Sequence, residues 1–231
     1  VSASEAAGPA DVVAPRPARR REDAAYHGRI IDVVRDDVDL GDAGTALREY
    51  VDHPGAVAIV ALDDDGRVAL VSQYRHPVRS VLWEIPAGLL DVDGEDAQVA
   101  AARELYEEAD LRAGRWDVLA DFLTSPGISN EALRVFLARD LSAVPAGERH
   151  HRTEEEATME LRWVPLDDVV AGVLDGSLHN PSTLVGALAA HAARARGWIG
   201  LRPADAPWPY RRDELNRRCR PVGGDRGAVA G

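Results

Sequence analysis

Lysine is absent: all 27 basic residues of the 231-residue chain are arginine. That removes phosphate-binding-loop lysines and Schiff-base lysines from consideration, since both chemistries need a primary amine. A bias toward Ala, Arg, Asp and Val accounts for the absence, and the exclusions hold whatever its cause. Cysteine is almost absent as well. Cys219 stands alone in a polar C-terminal stretch, so no internal disulfide or cysteine cluster can form, and a reducing cytoplasm is the expected setting. Positive charge is in deficit, 27 basic against 39 acidic residues for a net charge of −12. A general nucleic-acid binder needs a basic surface and is therefore not expected. If such a chain handles phosphates, divalent metal and local arginines must supply the positive charge. No apolar run approaches the ~18 residues of a membrane span, and the N-terminus has no signal-peptide core.

What is present is a chain long enough for one well-buried core and a small accessory subdomain. Residues 1–23, rich in Ala, Pro and Arg, are expected to form a mobile arm. Residues 24–55 carry extended segments at Gly28–Val38 and Thr45–Val51. Residues 56–200 hold the main domain, and 201–231 a Pro- and Gly-rich tail in which Trp208 and Tyr210 dock locally. Within the main domain, Ala56–Leu62 and Arg67–Tyr74 predict a hairpin around the turn-rich Asp63-Asp64-Asp65-Gly66. Val81–Ile85, Trp116–Leu123, Ala132–Ala138 and Met159–Val164 predict further strands. Asp96–Ala109 predicts a helix with Asp96 at its N-cap. Two more helices are expected over Leu166–Leu174 and Pro181–Ala195, the second with proline at its first position. Strands mixed with grouped helices argue for an α+β fold or a sandwich.

Chemistry concentrates between Ala87 and Leu111. Glu104 and Glu108 are four apart on the predicted helix and stack on one face, with Glu107 adding further like charge. Such pairs repel by a few tenths of a kcal/mol, and Arg103 is the one nearby cation. A hard divalent cation turns that repulsion into coordination. Val99, Ala102, Leu105 and Tyr106 are expected to pack the opposite side. Taken alone, the glutamates read more readily as a solvated helix face than as a metal site.

The surrounding residues decide otherwise. Gly88, Glu95, Arg103, Glu104, Leu105, Glu107, Glu108 and Leu111 resemble the Nudix box, a loop–helix–loop of glycine, glutamate and R-E-U-x-E-E-x-G-U, where U is aliphatic. This chain departs from the pattern twice. One extra residue separates Gly88 from Glu95, and Asp110 stands where the family has a helix-ending glycine, a substitution expected to cost roughly 1 kcal/mol. The resemblance implies a Nudix α/β/α sandwich with a mixed sheet, plus a small N-terminal strand subdomain. It also implies Glu104, Glu108 and the Ala87 carbonyl as ligands for Mg²⁺, with Mn²⁺ possible. Glu107 would either ligate metal or orient Arg103, and Glu95 would either serve an outer metal role or favour the helix N-terminus.

R-E-Y-V-D-H-P-G-A-V, Q-Y-R-H-P-V, W-E-I-P-A-G and L-T-S-P-G-I-S-N-E resemble the ADP-ribose pyrophosphatase branch of that family. That likeness implies hydrolysis of ADP-ribose to AMP and ribose 5-phosphate by a homodimer whose N-terminal strands contribute across the interface. It places Arg48, Arg75, Glu84 and Glu131 at the nucleotide site. The alternative for the arginines is cross-strand pairing, Arg48 with Asp32 or Arg75 with Glu49. The catalytic base is expected in the loop before Trp163, with Glu156 first, Glu155 second, and Glu154 the third acidic residue there; the most often acidic position is Ala157 here. A zinc site at His150 and His151 lacks a second cluster of matching spacing. Rival functions are hydrolysis of a nucleotide-sugar or dinucleotide, or non-catalytic sensing of ADP-ribose. The sensor should have lost a box carboxylate, whereas Glu104, Glu107 and Glu108 are all present.

Overall fold

The computed structural model describes residues 11–14, 16, 18–20, 26–152 and 159–218. Glu154, Glu155, Glu156 and Ala157 lie outside them. The N-terminal region forms an antiparallel sheet of β1 (Ala18–Arg20), β2 (Tyr26–His27), β3 (Asp32–Asp39) and β4 (Thr45–Asp52). Part of the expected arm is thus a strand, Ala18 to Arg20 pairing with Val38 to Asp36.

The main domain is built around β5 (Ala56–Ala61), whose six residues are all buried. An unbroken apolar run of that kind belongs to a strand covered on both faces. It pairs in parallel with β10 (Ala132–Ala143) and antiparallel with the short β8 (Ala87–Leu89). Antiparallel β9 (Leu111–Leu123) and β12 (Arg202–Pro203) extend the sheet beyond β10. A second sheet holds β6 (Arg67–Arg75) between β7 (Ser80–Glu84) and β11 (Leu161–Pro165).

The predicted hairpin is therefore corrected. Its turn exists, with Gly66 N–H donating to Asp63 O at 3.0 Å. Beyond it only Leu62 bridges Val68, and β5 and β6 part into different sheets. Turn chemistry is local, whereas strand partners are chosen by burial: β5 gains more in the middle of the layered core than beside β6.

Alternation along β5 divides the core. Val57, Ile59 and Ala61 pack with Phe136, Val118 and Leu105 of helix α1 (Ala97–Ala109). Ala58 and Val60 pack with Val135, Leu137, Leu166 and Val169 of α2 (Leu166–Leu174), and with Ala187 and Ala190 of α3 (Pro181–Ala195). Helices therefore cover both faces of a mixed sheet, the expected α+β sandwich. Helix α3 approaches so closely that a Cβ on Gly186 would stand 2.9 Å from both Ile85 and Val60 side chains. Removing the Leu105 side chain beyond Cβ would cost about 2–5 kcal/mol. Among the described residues no helix is long and apolar enough to cross a membrane.

Residues 202–218, expected as a tail, dock on this core. Trp208 is buried, and the Arg134 guanidinium lies 4.8 Å from its ring centroid. Arg134, 2% exposed, also donates to Asp121 at 2.7 and 3.0 Å and to the carbonyls of Ala206 and Pro207. The segment ends in α4 (Arg212–Arg218).

Candidate active site

Helix α1 begins where Asp96 accepts a hydrogen bond from Gln98 N–H at 2.8 Å, the expected N-cap. Its buried positions are Ala97, Ala100, Ala101, Glu104, Leu105, Glu108 and Ala109, a single stripe at helical spacing. The expectation that Val99 and Ala102 pack against the protein is overturned: Val99 is 58% exposed and Ala102 faces solvent. Glu104 and Glu108 share the buried stripe, at 9% and 6% exposure. Buried carboxylates are costly unless something compensates them.

The compensation comes from β8. Its pairing with β5 fixes the Ala87–Gly88 backbone beside α1. Ala87 N–H donates to Glu108 Oε2 at 2.9 Å. Gly88 sits against Glu104 so tightly that a Cβ there would lie 2.0 Å from the Glu104 carboxyl carbon. Glycine at 88 is thus required by a side chain sixteen residues later, not by its own backbone angles.

Arg103 gathers the remaining charge. It donates to both Glu95 oxygens at 3.2 and 3.1 Å, to Glu107 at 3.3 Å and to Glu104. The hydrogen bond to Glu95 is the largest of the influences that push its guanidinium above the usual arginine range; burial opposes it and the Glu104 charge assists. Glu95 is therefore an ion-pair partner of Arg103, a role outside the two foreseen for it. The loop before it, one residue longer than the Nudix pattern, turns through Gly94 at φ 77°. At the far end, Asp110 takes the left-handed conformation at φ 54°. Its carboxylate is held by Arg152 at 2.7 Å, and Arg152 also donates to Glu107 O at 2.9 Å. A cation bound to the last carbonyls complements the helix dipole.

The other predicted residues fall in three places. Glu84, 2% exposed, ends the strand leading through Ile85 and Pro86 into Ala87, and Arg75 grips it bidentately at 2.9 and 2.6 Å. The alternative pairing of Arg75 with Glu49 does not form; Glu49 pairs with Arg35 at 3.1 Å. Arg48 is exposed on β4, opposite Asp36 in register, and donates to Leu47 O. Glu131 accepts from Thr124 Oγ1 at 2.6 Å and lies 3.7 Å from His53 Nε2. No hydrogen bond or ion pair links Arg48 or Glu131 to the box within the described part of this chain. Sequence reasoning missed Arg152, Asp52, His53 and Asn130. Asp52, His53 and Asn130 stood inside quoted motifs, but no spacing singled them out.

The donor set suits a hard cation. Around Arg103 and the last turns of α1 cluster four carboxylates, two of them buried, beside the backbone of Ala87. Among the described residues no group of three or more His, Cys, Asp or Glu side chains is placed to hold a metal ion, and the two buried carboxylates, Glu104 and Glu108, lie against the Ala87–Gly88 backbone.

An acidic loop–helix–loop seated on a mixed sheet, with helices on both faces, is a Nudix arrangement. The Nudix domain model matches residues 52–182, more than half the chain. The chain belongs to the Nudix family. It is 46% identical over 183 residues to the ADP-ribose pyrophosphatase of Mycobacterium tuberculosis, covering 79% of this chain and 86% of that protein. It is 36% identical to the Bacillus subtilis ADP-ribose pyrophosphatase, covering 68% and 83%. It is also 34% identical to a methanol dehydrogenase activator of Bacillus methanolicus, covering 69% and 84%. In structure it matches an ADP compounds hydrolase with a TM-score of 0.61 and 18% identity, over 82% of this chain and 100% of that one, a likeness of fold.

Proposed function

We propose that this chain hydrolyses ADP-ribose to AMP and ribose 5-phosphate, using a divalent cation, Mg²⁺ foremost, held by Glu104, Glu108 and the Ala87 carbonyl. One observation carries the reading: two carboxylates are buried one helical turn apart against a strand backbone whose glycine makes room for one of them. Identity to two ADP-ribose pyrophosphatases supports the choice of substrate. A cation held there would neutralise diphosphate charge and make a nearby water more acidic.

The chain's own residues do the rest. Ala87 N–H orients Glu108, and Arg103 holds Glu104 while cancelling part of the local negative charge. Glu84 fixes the plane of the Arg75 guanidinium, whose fork matches phosphate oxygens. Water adds to one phosphorus, the bridging P–O bond breaks, and a carboxylate takes the proton. Glu156 is the first candidate for that base and Glu155 the second.

The working unit we propose is a cytoplasmic homodimer in which Arg48 of residues 24–55 serves the neighbouring nucleotide site. Turnover of ADP-ribose with Mg²⁺, with AMP and ribose 5-phosphate identified as products, tests the reaction. Turnover confined to nucleotide-sugars or dinucleotides would refute the substrate. Mixing inactive Arg48→Ala and Glu108→Gln proteins tests the dimer. Shared sites should regain activity by reuniting intact halves, and a mixture that stays inactive refutes the exchange.

A further inference from the structure

We propose that Arg212 is a positioning residue: it fixes Asp52 and, through Asn130, sets the orientation of His53 and Glu131. This rests on the reading that Glu131 belongs to the nucleotide site. The segment carrying Arg212 touches the site from two sides. Arg211 donates to the Glu95 carbonyl at 2.9 Å, in the loop whose side chain holds Arg103. Arg212 grips Asp52 with its full fork, at 3.0 and 2.8 Å, and Asp52 is 9% exposed. A bidentate pair fixes the carboxylate plane as well as its place.

From Asp52 the contacts run in one direction. Asn130 Nδ2 donates to Asp52 Oδ1 at 2.6 Å, and Asn130 Oδ1 accepts from His53 N–H at 2.8 Å. Only this amide orientation serves both neighbours, so the carboxylate held by Arg212 decides how Asn130 lies. Gly55 N–H donates to His53 Nδ1 at 3.0 Å, so in the neutral ring the proton sits on Nε2, facing Glu131 Oε1 at 3.7 Å. Thr124 Oγ1 holds the other Glu131 oxygen at 2.6 Å. The 123–131 loop is also stitched to β4, Val51 N–H donating to Ile128 O and Asn130 N–H to Val51 O.

Charge follows the same path. Burial lowers the His53 pKa below 6.5; Glu131 opposes that, Arg212 reinforces it and Asp52 opposes it. The unfolded chain thus binds this proton more readily than the folded one. The stability tied to neutral His53 is complete above 6.5 and declines as pH falls through 6.5 toward the lowered value. Loss of Arg212 removes one influence that lowers the pKa and exposes Asp52, which raises it, so His53 should titrate higher.

The test uses the full chain with Arg212→Ala, Arg212→Lys and Asn130→Ala. KM and kcat are measured on ADP-ribose with Mg²⁺, and His53 is titrated by NMR with its resonance assigned from His53→Gln. Arg212→Ala should raise KM roughly 3- to 10-fold with kcat within about twofold, the scale of coupling through contacting residues. His53 should titrate upward. Arg212→Lys should keep the charge but lose the fork, giving an intermediate KM, and it carries the KM test should the alanine variant not fold. Asn130→Ala should reproduce the rise in KM, and the double variant should be no worse than either single one. An unshifted His53 titration overturns the coupling. A shifted titration with unchanged KM overturns the positioning role and leaves a purely structural contact. The titration needs no substrate, so wild-type protein inactive on ADP-ribose would refute the proposed reaction separately. Glu131→Gln with unchanged KM would remove Glu131 from the nucleotide site.

Discussion

Arg134 and Arg103 each anchor a cluster of oxygen acceptors, and they do so to opposite ends. Arg134 meets Asp121, two carbonyls and the face of Trp208, and Arg202 adds a second cation on Asp121 at 2.6 Å. The Asp121 carboxylate and both carbonyls are answered there by arginine, only the buried Trp208 indole N–H lacking a partner among the described residues, and the C-terminal segment closes over them. Arg103 meets Glu95, Glu104 and Glu107, with Glu108 one turn beyond Glu104. Among the described residues there, carboxylates outnumber arginines, and Glu104 and Glu108 are buried. A cluster that balances within the protein is a fastening. One that gathers four carboxylates around Arg103 is where we propose a divalent cation is held.

The largest effect should come from breaking the fastening. Arg134→Ala leaves two carbonyls without their donor and Asp121 to Arg202 alone, and should cost about 3–5 kcal/mol in denaturant unfolding while kcat per folded molecule changes little. A loss below about 1 kcal/mol would mean that the docked segment is held by other contacts.

Glu108→Gln strikes the surplus. It should lower kcat roughly 10²-fold or more, with folding intact and stability equal or a few tenths of a kcal/mol higher as helix repulsion falls. Wild-type turnover at saturating Mg²⁺ would remove Glu108 from the site. Gly88→Ala sharpens the contrast, because the new methyl meets a side-chain carboxyl rather than backbone. Metal affinity, read by calorimetry, should fall about 10-fold while the thermal midpoint hardly moves. Unchanged affinity would show that Glu104 moves aside without consequence.

Asp110→Gly should have the smallest effect. It relieves a left-handed aspartate, worth about 1 kcal/mol, and forfeits the contact with Arg152, a partly exposed pair worth about as much. Thermal unfolding should register a net change within about 0.5 kcal/mol. A large loss would make the Arg152 contact the stronger of the two.

What was legible in the chain follows the range of the forces involved. Helix α1, its Asp96 cap and the box spacing are local, and they read directly. Strand β5 also read as a strand, but its partners did not, since parallel β10 begins some seventy residues later and nothing near β5 announces it. The buried face of α1 was misassigned because glutamate was placed outside on polarity. The alanines at 97, 100 and 101 mark the true stripe, and small residues there let the helix approach the sheet. The docking of residues 202–212 had a signal that went unused: Arg134 interrupts the otherwise apolar run A-L-R-V-F-L-A. An arginine inside a buried strand demands a partner, and the Pro-rich segment beyond Arg202 supplies it.

The bond between Arg212 and Asp52 spans 160 residues and reaches back to the last strand of the N-terminal sheet. During synthesis at about 5–20 residues per second, β4 and the 123–131 loop leave the ribosome well before Arg212 exists. For those seconds Asp52 and Asn130 wait without their clamp, and contacts of such long reach are slow to close. The order in which the molecule is made and the order in which this clamp is completed are therefore reversed: Asp52, at the end of an early strand already paired with β3, is among the last residues to be secured.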